Sequence, residues 1–297
     1  MNRDQRAAMA RQTLSLVNAG HYVAGDGRRV DIAATTQACI AGTRLWLPDE
    51  LLALRGDLAG RPRRPHGTAT FAVANEGTLS AARRLCGAGF ARVGVLNFAS
   101  ARNPGGGFLG GSQAQEESLA RSSALHASQT SAVAAAFYAH HRAEKSLLYT
   151  DRVIASPACP VLRDEDGELL DAPYTPTFFT CAAPNAGALA DNGDVDGLAR
   201  LPEVFARRAA GLLAAAVDAG CDALVLGAWG CGVFRNQPSR VAAIWRALLL
   251  DGGEFAEHFA HVSFAVLDST PSRTCLRAFA DSFDAASTAA GHSGIET

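Results

Sequence analysis

The sequence predicts an α/β protein whose central sheet is covered by helices on both faces. Apolar segments of strand length, such as 93–98 and 224–227, alternate along the chain with amphipathic segments of helical period. These strand segments are apolar at nearly every position, which is typical of strands buried on both faces. A chain of 297 residues, 48% hydrophobic and 19% charged, also has the composition of a globular protein.

The chain is expected to have two parts, a helical extension at 1–67 packed on a core domain at 68–297. An amphipathic helix is predicted from the start of the chain to Gly20, and a hairpin over 22–32 follows it. The next helix begins near Pro48 and is expected to end before Gly56. The Pro- and Arg-rich stretch 60–67 is interpreted as the loop that joins the two parts.

After this loop, strands and helices alternate. Strands are predicted at 70–74, 93–98, 152–155, 178–182, 224–227 and 262–267. Helices are predicted at 78–85, from about 115 onward, and at 133–142, 202–219, 239–249 and 273–286.

Composition argues against several classes of protein. The formal net charge of −2 gives no general attraction to nucleic acid. No apolar run approaches the ~20 residues that span a bilayer, and the first twelve residues do not resemble a secretory signal. The seven cysteines are widely spread and none forms a Cys-x-x-Cys pair, so we expect neither a zinc site nor a disulfide framework. A reducing cytoplasm fits this cysteine usage best.

Two glycine-rich loops stand out, at 103–111 and 227–236, and each follows an apolar strand and precedes a helix. Five of the nine residues in the first loop are glycine. Glycine lets the backbone approach a ligand closely and aim several N–H groups at one anion. Because ligands of open α/β sheets bind at the carboxyl ends of strands, two such loops could hold the two phosphates of a pyrophosphate.

Tight turns are the alternative interpretation of these loops. For a single loop, a turn and a binding site are equally well supported, but two loops of this kind favour binding. Neither loop is a Walker A motif, because no Gly-Lys-Ser/Thr follows, and neither fits the dinucleotide pattern with its later acidic ribose ligand. The sequence therefore favours a pyrophosphate ligand, held by something other than the common nucleotide folds.

An acidic turn follows the first loop. Seven residues separate Gly107 from Gln115-Glu116-Glu117, which lies at the predicted start of a helix. Composition alone favours helix capping here, with Glu117 and Arg121 as an ordinary i,i+4 ion pair. Successive helix residues point about 100° apart, so only one of the two glutamates can aim directly at a given bond. That geometry suits one acid and one positioning group.

The order and spacing of these motifs resemble the signature of poly(ADP-ribose) glycohydrolases. The triple glycine 105–107, seven residues and then the Gln-Glu-Glu turn match that signature. The segment 98–104 is similar to the microbial form, and 230–234 is similar to the family's diphosphate loop. The similarity runs from about residue 70 to the C-terminal helix, and the N-terminal segment is more weakly similar to the helical extension of the microbial branch.

The resemblance implies a macrodomain-like three-layer α/β/α fold with a mixed sheet, in addition to the N-terminal extension. It also implies hydrolysis of the ribose–ribose O-glycosidic bonds of poly(ADP-ribose), with Glu117 as the catalytic acid and Glu116 bound to a ribose hydroxyl beside the scissile bond. Phe234 would also shape the distal ribose position. The implied substrate-binding residues are Asn103, Gly105, Gly106, Gly107, Gln115, Gly227, Gly230, Cys231, Gly232, Val233, Phe234 and Asn236.

The expected partners follow from the same resemblance. Poly(ADP-ribose) or ADP-ribosylated proteins would be the substrate and ADP-ribose the product, with no membrane and no direct nucleic-acid binding. No cofactor and no metal are expected, since His140 and His141 diverge on a helix and are expected on an exposed polar face. Two alternatives stay open: a non-catalytic ADP-ribose-binding macrodomain, which would share the glycine loops, and a hydrolase of single ADP-ribosyl groups.

Overall fold

A seven-stranded mixed sheet forms the centre of the protein in the computed structural model, which describes residues 1–59, 69–250 and 252–289. Its strands, in spatial order, are β3 (Arg44–Trp46), β6 (Val153–Ser156), β9 (Thr177–Cys181), β5 (Val93–Phe98), β10 (Ala223–Leu226), β11 (His261–Ala265) and β4 (Thr70–Ala74). Two separate antiparallel hairpins pair β1 (His21–Val23) with β2 (Arg29–Asp31), and β7 (Val161–Arg163) with β8 (Leu169–Tyr174).

Eleven α-helices accompany the strands in the described part of the chain. They are α1 (Arg3–Ala19), α2 (Ala33–Ala41), α3 (Pro48–Ala59), α4 (Thr78–Gly87), α5 (Gln115–Ser122), α6 (Leu125–Gln129), α7 (Ala132–Ala143), α8 (Ala186–Asp191), α9 (Val195–Asp218), α10 (Pro238–Leu249) and α11 (Thr274–Ala289). A short 3-10 helix covers Phe108–Gly110.

Strand direction fixes where a ligand can bind. The five strands β9, β5, β10, β11 and β4 are parallel, and β6 and β3 complete the sheet in antiparallel pairings. The carboxyl ends of the parallel strands therefore meet at one edge of the sheet, where the loops after β5 and β10 lie next to each other.

Helices cover both faces of this sheet. On one face, α3, α9, α10 and α11 pack against side chains of the sheet such as Leu96, Phe179 and Phe264. On the other face, α4, α5 and the N-terminal elements pack against Val93, Val95 and neighbouring apolar residues. The mixed sheet between helical layers confirms the predicted three-layer α/β/α class.

The N-terminal segment is joined closely to this core. α1 begins after a capping box at Asn2. It is capped at its end by Gly20, which has a φ of 74° and is the stop that the sequence predicts. β3 joins the central sheet by pairing with β6, and α3 packs on α9. The expected boundary after residue 67 and the expected loop at 60–67 lie outside the described residues.

Some sequence-based expectations differ from the structure. The expected end of α3 before Gly56 is wrong, because the helix continues through this glycine to Ala59. Nothing in the structure lies within 4 Å of a Cβ built on Gly56, so glycine only weakens the helix there, by about 1 kcal/mol relative to alanine. The sequence does not predict α2, β3, α6, α8 or the β7–β8 hairpin, because these elements are short and carry weak periodicity.

Two global properties follow from the described segments. No helix in them is both long and apolar enough to cross a bilayer. All seven cysteines carry free thiols, and four of them are buried in the apolar core, where cysteine packs as a small hydrophobe.

A buried arginine fixes the segments beside β9. The Arg208 side chain is fully buried, and its Nε lies 2.8 Å from the Asp151 Oδ1. Its remaining N–H groups donate to the carbonyls of Ala182 and Leu148, at 2.9 and 2.8 Å. Arg208 therefore ties α9 to the segments that precede β6 and follow β9.

We predict that Arg208→Met destabilises the protein by about 3–5 kcal/mol, because it removes the buried partner of the Asp151 carboxylate and leaves the buried Ala182 and Leu148 carbonyls without their donor. Urea unfolding followed by circular dichroism measures this loss. Arg207→Met is the matched control, since Arg207 bonds the same Asp151 but its side chain is 45% exposed, and its loss should cost under about 1 kcal/mol. Equal costs for the two variants would contradict this account.

Candidate active site

The first glycine loop folds back on the helix that follows it. β5 ends at Phe98, and Gly105 and Gly106 adopt φ values of 68° and 60°, which L side chains rarely adopt. The Gly107 N–H donates to the Glu117 Oε1 at 3.0 Å. A Cβ built on Gly106 would lie 2.5 Å from that same Oε1 and 3.1 Å from the Glu116 Oε2. The missing side chain of Gly106 therefore lets both carboxylates lie against the backbone of the loop.

Glu116 is buried, with 3% of its surface exposed, and three N–H groups reach its carboxylate. The Ser100 N–H donates to Oε2 at 2.6 Å, while Asn97 and Gln129 each donate to Oε1 at 3.2 Å. Burial raises the pKa of Glu116 to about 8, and the negative charge of Glu117 adds to this rise, although the three donors oppose it. Glu116 thus holds the start of the first loop against α5.

The residues beside Glu116 have distinct tasks. Glu117 is half-buried. Gln115 accepts a hydrogen bond from the Phe98 N–H at 2.9 Å and donates one to the Leu96 carbonyl at 2.7 Å. These two bonds hold α5 at the end of β5. Arg121 donates to the Ser112 carbonyl at 2.6 Å and to Gln113. The structure thus directs the Arg121 guanidinium to the loop ahead of α5 and shows no ion pair with Glu117 among the described residues.

The N-terminal helix anchors the far end of the first loop. The Arg3 Nε donates to the Gly110 carbonyl at 2.9 Å, and the Arg6 Nε donates to the Gly111 carbonyl at 2.8 Å. A Cβ built on Gly111 would lie 2.1 Å from the Arg3 carbonyl oxygen, so only glycine allows this approach. The loop that contacts Glu117 is therefore held from both ends.

The second loop follows β10. Gly227 is buried, and a Cβ there would lie 2.5 Å from the Ala265 carbonyl oxygen. Gly230 has a φ of 72°, and its carbonyl accepts from the Asn236 Nδ2 at 3.1 Å. The same Nδ2 donates to the Pro184 carbonyl at 2.9 Å. Asn236 therefore holds the loop in its curved shape, while Gly232 and Val233 are exposed at its tip.

A cleft of about 510 Å³ lies between the second loop, α5 and the start of α4. Of the predicted site residues, Gln115 and the second-loop segment 230–234 line it. Asn103, the triple glycine, both glutamates, Gly227 and Asn236 do not line it, although Glu117 lies only two residues after Gln115 in α5. The structure thus places the acidic turn between the glycine loop that it contacts and the cleft that the second loop borders.

Sequence reasoning missed several residues around this site. Asn97, Thr180 and Gln129 form the buried polar group that surrounds the Glu116 carboxylate. Asn97 could have been found, because it is the one polar residue in the otherwise apolar strand 93–98. Missed cleft residues are Thr78, Leu79, Glu165, Leu267, Asp268 and Cys275.

Glu165 reaches the cleft from the unpredicted β7–β8 hairpin. Its Oε2 accepts from the N–H and the hydroxyl of Ser80, both at 3.1 Å, in the first turn of α4. Burial raises the pKa of Glu165. A Cβ built on Gly77 would lie 2.0 Å from the Glu165 Oε1, so glycine at that position admits the carboxylate.

The paired histidines differ from expectation. The prediction of an exposed polar face is wrong for His141, which is fully buried, with its Nδ1 at 2.9 Å from the Phe137 carbonyl oxygen. Its Nε2 lies 2.8 Å from the Thr150 hydroxyl, so the ring packs as a core residue with both nitrogens engaged. Across the described segments, no group of His, Cys, Asp and Glu side chains has the arrangement of a metal site.

Comparison with known proteins identifies the family of the chain. The model of the microbial-type PARG catalytic domain matches residues 10–164. Among solved structures, poly(ADP-ribose) glycohydrolase from Thermomonospora curvata is similar to the chain with a TM-score of 0.89 and 46% identity, over 95% of this chain and 100% of that one. The same enzyme bound to the inhibitor ADP-HPD gives a TM-score of 0.87 and 47% identity over the same shares.

A second relative comes from Deinococcus radiodurans. Its poly(ADP-ribose) glycohydrolase in complex with ADP-ribose has a TM-score of 0.79 and 44% identity, covering 85% of this chain and 98% of that one. No curated protein matches the chain. The family model spans more than half of the sequence, and the structural relatives cover nearly all of it. The chain therefore belongs to the microbial-type poly(ADP-ribose) glycohydrolases, the PARG family.

Proposed function

We propose that the protein hydrolyses the ribose–ribose O-glycosidic bonds of poly(ADP-ribose) and releases ADP-ribose, with Glu117 as the catalytic acid. The observation that supports this most directly is the 3.0 Å hydrogen bond from the Gly107 N–H to the Glu117 Oε1. It holds a half-buried carboxylate at the triple glycine, next to a cleft that the second loop borders.

The two loops would bind the diphosphate of the terminal ADP-ribose unit. Backbone N–H groups of Gly105 in the first loop and of Gly230, Gly232, Val233 and Phe234 in the second would supply donors without net charge, as loops at helix N-termini do for other phosphates. The Gly106 and Gly107 N–H groups are engaged by the Asn103 carbonyl and by Glu117, so these two glycines would act by close backbone approach. Gly227 and Asn236 would act by shaping the second loop, since their contacts are to protein backbone. Asn103, exposed at the start of the first loop, would reach the distal ribose, and Phe234 would close over that ribose.

The ribose whose bond is cleaved would lie beside Gly106. Because both carboxylates lie against this residue, one sugar could meet Glu117 at the glycosidic oxygen and Glu116 at a neighbouring hydroxyl. The three N–H donors to Glu116 fix the position of its carboxylate beside Glu117. The roles of acid and positioning group thus divide between adjacent residues of one helical turn.

The reaction would proceed through an oxocarbenium-like transition state. Glu117 donates a proton to the departing adenosine 2′-oxygen, which leaves as a hydroxyl, and then accepts a proton from the water that attacks the anomeric carbon. The bound diphosphate stands close to the ribose and stabilises its developing positive charge. The adenosine of the same unit would extend toward Glu76, Thr78 and Leu79, at the α4 end of the cleft.

We predict that Glu117→Gln lowers turnover on the order of 10²–10⁴-fold while ADP-ribose still binds, because the amide cannot donate the acidic proton. Release of ADP-ribose from automodified polymerase and calorimetric titration with ADP-ribose measure the two quantities. Glu203→Gln is the control, since that carboxylate is 77% exposed on α9. Undiminished turnover in Glu117→Gln would remove Glu117 from the acid role, and binding without any turnover in the native chain would indicate a reader of ADP-ribose.

Gly106→Ala should lower kcat/KM by about 10² or more, because its Cβ would displace the Glu117 carboxylate from the reacting bond. Part of any effect comes from strain at positive φ, about 1–2 kcal/mol for an L residue. Gly89→Ala isolates that strain, since Gly89 has a φ of 88° and nothing within 4 Å of a built Cβ. If Gly106→Ala loses stability like Gly89→Ala but keeps full kcat/KM, the absence of a side chain at Gly106 has no part in placing the catalytic carboxylate.

The raised pKa of Glu116 predicts a dependence of folding stability on pH. The pKa of Glu116 is near 4.5 in the unfolded chain and about 8 in the folded protein. Between these two pH values, the folded state therefore binds more protons than the unfolded state. Stability therefore falls as pH rises through this window, by up to about 1.4 kcal/mol per pH unit from this group. Urea unfolding at pH 5.5 and 7.5 should show a smaller decline in Glu116→Gln than in the unchanged protein, and parallel declines would argue against the raised pKa.

A further inference from the structure

Three arginines lie beside the glycine loops, and none of them has a carboxylate partner among the described residues. Arg142, at the end of α7, donates from Nη1 to the Arg102 carbonyl at 2.9 Å. Arg152 donates from Nη1 to the Thr150 hydroxyl at 2.7 Å. We call Arg102, Arg142 and Arg152 the α7 patch. The nearby Asp151 does not neutralise it, because that carboxylate is engaged by Arg207 and Arg208 of α9.

Helix stabilisation does not account for the patch. A basic residue in the last turn of a helix favours the helix dipole, which would explain Arg142 alone. Its guanidinium, however, reaches the carbonyl of a different segment, the loop after β5. Glu144, the acid nearest to the end of α7, accepts from the Ser146 N–H at 3.0 Å and closes its own turn. Burial lowers the pKa of Arg152, as expected for a guanidinium that is partly desolvated without a compensating anion.

The position of the patch relates it to both loops. Arg102 stands three residues before Gly105, on the segment whose Gly107 N–H contacts Glu117. On the other side, the ring of Tyr149 lies 6.1 Å from that of Phe234 in the second loop. Tyr149 also has a φ of 57°, a strained value for a residue with a side chain. The described residues that line the cleft include none of the patch, so it adjoins the site from outside the cleft.

We propose that the α7 patch binds the diphosphate of the next ADP-ribose unit, the one from which the terminal unit is cleaved. This inference rests on the proposed function. The oxygen that leaves is the 2′-oxygen of an adenosine ribose, and the 5′ carbon of that same ribose carries the next diphosphate. A second dianion therefore stands a few bonds from the scissile bond. Since the terminal unit fills the cleft, this dianion lies outside it.

The chemistry of the patch suits that ligand. Arginine binds phosphate oxygens through paired N–H groups and keeps its charge under all ordinary conditions. The whole chain has a net charge of −2, so a polyanion is attracted only where basic side chains stand together without acidic partners. The patch supplies such a place beside both loops, and it would hold the polymer while the terminal unit is released.

The test replaces all three arginines by glutamine and compares the polymer with ADP-ribose. We expect the KM for poly(ADP-ribose) to rise about tenfold with little change in kcat, and the Kd for ADP-ribose to stay unchanged, because ADP-ribose occupies only the cleft. The dependence of log(kcat/KM) on log salt should weaken by about 0.7 for each phosphate that the variant no longer neutralises. A second variant, Arg152→Gln alone, leaves the bond between Arg142 and the loop intact and should raise KM in the same direction.

The matched control replaces Arg11, Arg83 and Arg200, three exposed arginines outside the α7 patch, by glutamine, which removes the same total charge. A control variant with the same rise in KM would overturn the proposal in favour of net charge. It would also be overturned by an unchanged KM in the patch variants, by weaker binding of ADP-ribose, or by single-stranded DNA of equal charge competing as well as the polymer. Absence of turnover in the unchanged protein would instead contradict the proposed function.

Discussion

The active site depends most on one contact between the first turn of α5 and the first glycine loop. The helical turn carries two carboxylates, and Gly106 in the loop carries no side chain. Gly106 admits the Glu117 and Glu116 carboxylates because it lacks a Cβ, and its positive φ turns the next N–H toward Glu117. Any larger residue would push the Glu117 carboxylate away from the loop. The triple glycine and the acidic turn thus act as one unit, although seven residues separate them in sequence.

The surrounding fold serves to keep that unit rigid. The parallel strands bring the loops after β5 and β10 to one edge of the sheet, and Gln115 fastens the start of α5 to the last residues of β5. The buried side-chain amides of Asn97 and Gln129 donate to the Glu116 carboxylate, so the position of this carboxylate is fixed before any ligand binds. Preorganisation of this kind is how active sites avoid reorganisation during the reaction.

Much of this is predictable from the sequence, and the limits have physical causes. The central strands after residue 69 and the long helices are found, because apolar periodicity records burial directly. The glycine loops and the acidic turn are found because their residue types and spacing are rare together. The contacts of Asn236 and Glu165 are not foreseeable, since both depend on segments distant in sequence, Pro184 and Ser80, and on short elements with little periodicity. The prediction for His141 fails because both of its ring nitrogens find hydrogen-bond partners inside the protein. The sequence does not distinguish such a histidine from one on the surface.

The attachment of α1 to the first loop affects how the protein folds during its synthesis. Arg3 and Arg6 reach carbonyls more than a hundred residues further along the chain, and Thr13 accepts from the guanidinium of Arg163. During synthesis, the first helix therefore lacks these partners until the first glycine loop and then β7 have emerged. The second glycine loop is made later still, so a partly made chain does not contain the complete site.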